Sequence, residues 1–263
     1  MTDILHSTVL ITGGASGIGR LMALGFAARG ATVVVMDLNG EGARLVAKEM
    51  KAATGRQHHA VEVDITDREA VYAAAGEVTG EVGDIDVVVN NAGIVSGGAP
   101  LIDTPDEQIE RTFAVNNLAL FWVTKAFLPA MIRRDRGHIV TIASASGMVG
   151  VSRLVDYASS KHAAIGFDES LRMELAEMAP GVRTTVVSPF FIDTGMFDGV
   201  QTKVPWLLPI LGEQQVADRV IDAVARNRAR LIMPPAVGLL SPMRVLPVML
   251  FDLVINVLGV NDT

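Results

Sequence analysis

The sequence predicts an α/β protein, a doubly wound parallel sheet of about seven strands with helices on both faces. Three observations predict it. Seven short runs rich in Val, Ile and Leu recur along the 263 residues. Amphipathic stretches of helical length separate most of them. Most of the runs are apolar at consecutive rather than alternate positions, as strands buried on both faces must be. Strand–helix alternation joined by right-handed crossovers gives the doubly wound arrangement.

The elements follow in order. VLIT (9–12) is the first strand, with a helix expected at 17–29. ATVVVMD (31–37) leads to a helix at 40–53, and HAVEVD (59–64) to one at 67–81. DVVVN (86–90) precedes a long helical stretch at 104–134, and HIVTIAS (138–144) precedes another at 155–178. TTVVSP (184–189), a helix at 213–227 and RLIMP (230–234) complete the sheet. No repeat, low-complexity tract or linker divides the chain, so residues 1–263 read as a single domain. The apolar stretches at about 195–212 and 234–263 read as additions to it.

Composition narrows the function. Half the residues are apolar and 19% are charged, enough for a sizeable core. The net charge of −7 speaks against nucleic acid as a partner. The absence of cysteine excludes disulfides and a thiolate nucleophile, and is compatible with a cytoplasmic chain. His6, His58, His59, His138 and His162 form no ligand spacing, so no metal site is expected. MTDILHSTVLIT runs straight into the first strand, with neither a signal peptide nor an anchor expected there.

The first strand ends in TGGASGIGR, residues 12–20. Glycines at 13, 17 and 19 let the backbone turn sharply and approach a pyrophosphate, while the next helix presents free N–H groups to it. Many strand–helix turns carry glycine for shape alone, but the position of this one between the first apolar run and an amphipathic helix favours nucleotide binding, as in a Rossmann-type sheet. Asp37 ends the second strand 18 residues beyond Gly19. A carboxylate there accepts hydrogen bonds from the adenosine ribose hydroxyls and repels a 2′-phosphate, and Leu38 stands where an arginine would hold one. The expected cofactor is therefore NAD rather than NADP.

DYASSK, residues 156–161, places Tyr157 and Lys161 on one helix face. Such a pair can be ordinary surface neighbours. It can also be an acid–base device, because an ammonium stabilises a phenolate and lowers a pKa that is otherwise about 10. Tyr157 then exchanges a proton with a hydroxyl or carbonyl as hydride moves. Ser144, 13 residues upstream at the end of the fifth strand, would hold the substrate oxygen. Ser146 is its rival.

Taken together, TGGASGIGR, NNAG (90–93), Asn116 in FAVNNLALF, and Ser144 with Tyr157 and Lys161 resemble the short-chain dehydrogenase/reductase family over nearly the whole chain. FWVTKAFLPAM (121–131), residues 137–171 and FIDTGMF (191–197) are similar to the branch holding 17β-hydroxysteroid dehydrogenases 11 and 13 and related retinol dehydrogenases. That branch acts on lipophilic alcohols and carbonyls, and many of its members sit on membranes or lipid droplets.

The resemblance implies further roles. Gly13, Ser16, Gly17, Ile18 and Gly19 would line the phosphates, and Asp64 with Ile65 the adenine. Asn90 and Gly93 would border the ribose. Lys161 would bond the nicotinamide ribose, and Pro189, Ile192 and Thr194 would hold the carboxamide, with Phe190 where the family pattern has glycine. Asn116 would anchor a water linking Lys161 to solvent, although Asn117 beside it departs from the pattern. The long helices at 104–134 and 155–178 would pair between subunits in a dimer or tetramer.

Beyond Thr194, the residues Met196, Phe197, Val204, Trp206, Leu207, Leu208, Ile210 and Leu211 read as an apolar lid over a greasy substrate. On a helix from Ser241 to Val260, Arg244, Asp252 and Asn256 would form one narrow polar stripe. The apolar remainder needs cover from a subunit, the lid or a membrane surface. The expected function is hydride transfer between a lipophilic alcohol (steroid, retinoid or long-chain) and NAD. The alternatives are a non-catalytic protein that binds NAD and lipid, and a carbonyl or acyl-chain reductase.

Overall fold

The structure, a computed structural model, describes residues 1–95, 98–194 and 203–258. Seven parallel strands form one sheet in the order β3-β2-β1-β4-β5-β6-β7. They are β1 (Thr8–Thr12), β2 (Thr32–Asp37), β3 (His59–Glu62), β4 (Val87–Asn90), β5 (Gly137–Ile142), β6 (Val182–Pro189) and β7 (Arg230–Met233). The order reverses at β1, whose neighbours are β2 and β4, so a crevice opens at the carboxyl ends of β1 and β4.

Strand parity distributes the core. Val9, Ile11, Val33, Val35, Val87 and Val89 face α1 (Gly17–Ala28), α2 (Gly40–Thr54) and α7 (Glu213–Ala225). Leu10, Val34, Met36, Val88 and Ile139 face α3 (Arg68–Val82), α5 (Ala119–Arg134) and α6 (Val155–Met178). The apolar runs of the sequence are thus buried on both faces. Helix boundaries follow local chemistry. Asn39 and Asp67 cap α2 and α3 by accepting Gly42, Glu69 and Ala70 N–H groups. Gly55, at φ 70°, ends α2 in the left-handed conformation.

The long helical stretch expected at 104–134 runs from Asp106 to Arg134, with a π-turn, Ala114–Leu118, between α4 (Asp106–Phe113) and α5. One expectation changes: the tail is not one helix. A 3₁₀ turn, Pro235–Leu239, leads to the short α8 (Leu240–Met243), and Pro247 then caps α9 (Val248–Val257). Proline cannot continue a helix from the preceding turn, so Arg244 is separated from Asp252 and Asn256. Arg244 reaches His162 instead, with Nη2 2.9 Å from Nε2.

Candidate active site

A cleft of about 470 Å³ opens at the carboxyl ends of the strands. Its floor is the turn after β1. The Thr12 hydroxyl accepts from the backbone N–H groups of Asn91 and Ala92 at 3.0 and 3.1 Å. Asn91 Nδ2 donates to the carbonyls of Thr12 and Gly13 at 2.9 and 3.0 Å. A Cβ on Gly19 would lie 2.1 Å from the Gly13 carbonyl oxygen, so only glycine fits. Gly17, at φ 50°, has nothing within 4 Å of its missing Cβ and faces open space. Ser16 caps α1 without a side-chain bond, and the first turn of α1 carries no acid. The floor therefore offers a positive helix end with no acid in its first turn, which fits a pyrophosphate.

Asp37, Asp64 and Ile65 line the cleft. Asp37 accepts from the backbone of Ala15 and Asn39, both at 2.9 Å. It thus clamps the glycine turn as well as facing the cleft. Asp64 Oδ1 accepts from the backbone N–H and hydroxyl of Thr66 at 2.9 and 2.7 Å. Pro189, Ile192 and Thr194 line it too.

Ser144, Tyr157 and Lys161 converge on the same cleft. Tyr157 and Lys161 are each only 5% exposed. Burial pushes the Tyr157 phenol up to about 12, and a hydrogen bond from Ser144 pulls it back only in part. Burial lowers Lys161 to about 8. In the cleft without cofactor, desolvation is the largest influence and Tyr157 is a protonated phenol. Lys161 Nζ donates to the Ile142 carbonyl at 3.0 Å, which fixes it at the end of β5. Ser144 and Ser146 divide their work. Ser146 Oγ donates to Ser144 Oγ at 2.9 Å and does not line this cleft, so Ser144 is the hydroxyl presented to it.

Gly13, Ser16, Gly17, Ile18, Gly19, Asp37, Asp64, Ile65, Gly93, Ser144, Tyr157, Lys161, Pro189, Ile192 and Thr194 all line the cleft. Asn90 does not: it is buried and its Nδ2 donates to Thr124 at 3.0 Å, on the far side of β4. Asn91 holds the wall in its place. Asn116 lies behind the cleft. Its amide donates to the Ile94 carbonyl and Ser160, and its oxygen accepts from the Ile94 N–H. Asn116 Oδ1 and Lys161 Nζ press on the same side of Gly93, each 3.3 Å from where a Cβ would stand. Asn117 donates to the Ser160 carbonyl.

The expected lid is only partly in view. Met196 and Phe197 fall outside the described residues. Leu208 and Leu211 are buried in the core, Val204 and Leu207 pack against it, and Trp206 is 82% exposed. No residue from Val204 to Leu211 lines the cleft. Sequence reasoning missed Arg111 and Val115, which line the cleft four residues apart across the end of α4 and the π-turn. Their common spacing was visible, but the π-turn that aims them was not.

The short chain dehydrogenase family model matches residues 7–205. Mouse epidermal retinol dehydrogenase 2 is 44% identical over 260 residues, 98% of this chain and 84% of that protein. Human estradiol 17-beta-dehydrogenase 11 is 42% identical over 247 residues, 93% of this chain and 81% of that protein. Among solved structures, a short chain dehydrogenase/reductase from Burkholderia phymatum in complex with NAD superposes with TM-score 0.82 at 24% identity, covering 93% of this chain and 95% of its own. The apo form of LigD from Sphingobium sp. strain SYK-6 gives TM-score 0.78 at 29% identity, covering 90% and 93%. With a glycine floor, an acid-ended second strand and a Ser–Tyr–Lys set at one switch-point cleft, this chain belongs to the short chain dehydrogenase family.

Proposed function

We propose that the protein is an NAD-dependent oxidoreductase acting on a lipophilic alcohol, with Tyr157 as its acid and base. The observation that carries this is the meeting of Ser144, Tyr157 and Lys161 in the cleft whose floor fits a pyrophosphate and whose lining includes Asp37. The named activities of its retinol and estradiol dehydrogenase relatives support the substrate class.

NAD, when bound, supplies the hydride acceptor and a positive charge beside Tyr157. Ser144 holds the substrate oxygen and stabilises the charge that develops on it. Tyr157 Oη accepts the hydroxyl proton as the alcohol is oxidised, and returns it to the oxygen in the reverse direction. Because burial keeps this phenol protonated in the bare cleft, the resting residue is set up as the acid. Its use as a base depends on added positive charge, and Lys161 supplies part of that. Asn116 and Lys161 meet against one side of Gly93, where a water would carry the proton outward.

Two further features belong to this reading. The C-terminal segment, where Val245, Val248 and Met249 are exposed, offers an apolar face for another subunit or the lid first, and for peripheral membrane contact of a cytoplasmic chain second. The chain forms a homo-oligomer through the π-turn, α5 and α6, where Leu118, Phe121 and Met173 are exposed. The deciding experiment follows NADH absorbance with NAD and a panel of alkanols, retinol and a hydroxysteroid. Turnover of any one supports the reading. Tight NAD binding with no turnover of any would identify a non-catalytic binding protein instead.

A further inference from the structure

Beside the cleft lies a second, smaller cavity of about 30 Å³. Such a space holds a water or a methyl group and little more. It shares three residues with the cleft: Ser144, Tyr157 and Phe190. It therefore begins at the hydroxyl pair that holds the substrate oxygen. Among the described residues the remaining lining is almost wholly apolar and includes Phe191 and Leu240.

Phe190 and Leu240 are held by one piece of chain. The Phe190 N–H donates to the Met233 carbonyl at 2.7 Å, fixing Phe190 at the end of β7. The chain leaves β7 there, and its 3₁₀ turn buries Val237 completely before delivering Leu240, which is 4% exposed. The Phe190 ring is braced edge-on against Phe191, with centroids 4.7 Å apart. The partition is therefore a packed wall, with neither ring nor leucine free to swing into solvent.

Resting on the function proposed above, we infer that Phe190 and Leu240 determine which alcohols the enzyme accepts. A carbinol carbon that offers its oxygen to Ser144 and Tyr157 and its hydrogen to the nicotinamide has two substituents left. One faces the small cavity. A hydrogen or a methyl group fits it; a longer branch or a fused ring does not. The preferred substrate is thus a primary alcohol or a methyl carbinol with one long apolar chain. A secondary alcohol set within a ring system is excluded by the wall. In a leucine-and-phenylalanine pocket, each excess carbon lowers kcat/KM by roughly 10- to 200-fold.

Three alkanol isomers of equal carbon number test this, because they differ in branching and hardly in lipophilicity. They are the primary alcohol, the methyl carbinol and a mid-chain secondary alcohol. kcat/KM is measured with saturating NAD for the wild type, Phe190→Ala and Leu240→Ala, with NAD affinity followed separately by fluorescence. The wild type is expected to use the first two and to use the third at least about tenfold less well. Each truncation is expected to narrow that gap by about tenfold or more, and Leu240→Phe to lose the methyl carbinol while keeping the primary alcohol. Two results overturn the inference: equal use of all three isomers by the wild type, or an unchanged isomer ratio in folded variants that still bind NAD. A wild type that oxidises retinol or the hydroxysteroid but none of the three overturns this inference alone; one that binds NAD and oxidises nothing in the wider panel overturns the proposed function itself, and this inference with it.

Discussion

Lys161 Nζ lies 5.7 Å from the centre of the Tyr157 ring, and the pair shares one buried turn of α6. The ammonium is anchored by the Ile142 carbonyl, so the spacing is fixed by β5 as well as by the helix. Tyr157→Phe removes the hydroxyl and almost no volume. Turnover is expected to fall about 10²- to 10⁴-fold, the usual worth of a positioned acid–base group. NAD affinity, measured by fluorescence titration, is expected to be nearly unchanged. Wild-type turnover in this variant would remove Tyr157 from the chemistry.

Asp37 has two jobs, and a substitution series separates them. Its carboxylate accepts the Ala15 N–H inside the glycine turn, and the residue also lines the cleft, where the proposed function has it meet the adenosine ribose. Asp37→Ala is expected to weaken NAD by roughly 10- to 100-fold, as the loss of charge-assisted hydrogen bonds does. It is also expected to narrow the preference for NAD over NADP, since the repulsion of a 2′-phosphate is gone. Asp37→Asn keeps an oxygen for Ala15 but no charge. It is expected to restore part of the NAD affinity while still relaxing the preference. A preference equal to the wild type in both variants, by titration with each cofactor, would end this role for Asp37.

Much of this site was legible because its parts sit where strands stop. VLIT, TVVVMD and VVVN mark strand ends by composition, and the glycine turn, Asp37 and the NNAG run follow from those ends. Illegible features depended on backbone bonding or burial. The π-turn at Ala114–Leu118 has no compositional mark, so neither the position of Asn116 behind the wall nor the aim of Arg111 could be read. Asn90 and Asn91 exchanged places because side chains alternate along a strand, and the last residue of β4 faces Thr124. The lysine beside Tyr157 was visible in DYASSK. The depth of their burial, which raises the phenol in the cleft without cofactor, appears only once α6 is packed.

Gly17 and Gly19 make a controlled pair within one turn. A Cβ on Gly19 meets the Gly13 carbonyl oxygen at 2.1 Å and Asn91 Nδ2 at 2.5 Å. Gly19→Ala must displace backbone, and a lowered melting temperature together with lost NAD binding is expected. A Cβ on Gly17 meets nothing within 4 Å, and its cost is the positive φ of 50°. That strain is worth about 1–2 kcal/mol, or a melting temperature lower by a few degrees. Yet the new methyl stands where a phosphate would approach, so Gly17→Ala is expected to lose NAD affinity out of proportion to stability. Equal effects of the two substitutions on melting and on NAD titration would contradict a phosphate over Gly17.

Asp168 is fully buried on α6, away from the cleft, where its Oδ2 accepts from the Thr184 hydroxyl at 3.2 Å. Its Oδ1 has no hydrogen-bond partner among the described residues. Burial raises its pKa to about 7, against the smaller pulls of the Thr184 hydrogen bond, Arg172 and Arg230, while Glu169 adds to the rise. The sign follows directly. Between the ordinary carboxylate range and about 7, the folded chain holds one more proton here than the unfolded chain. Its contribution to stability is complete below that window and is lost as pH rises through it. Asp168→Asn keeps the shape and cannot ionise. Near about pH 5 its melting temperature should match or fall below the wild type, and by about pH 8 it should exceed it by a few degrees. Thermal melts of both proteins across this range are the check. A difference between them that does not change with pH would mean that Asp168 does not titrate inside the folded protein.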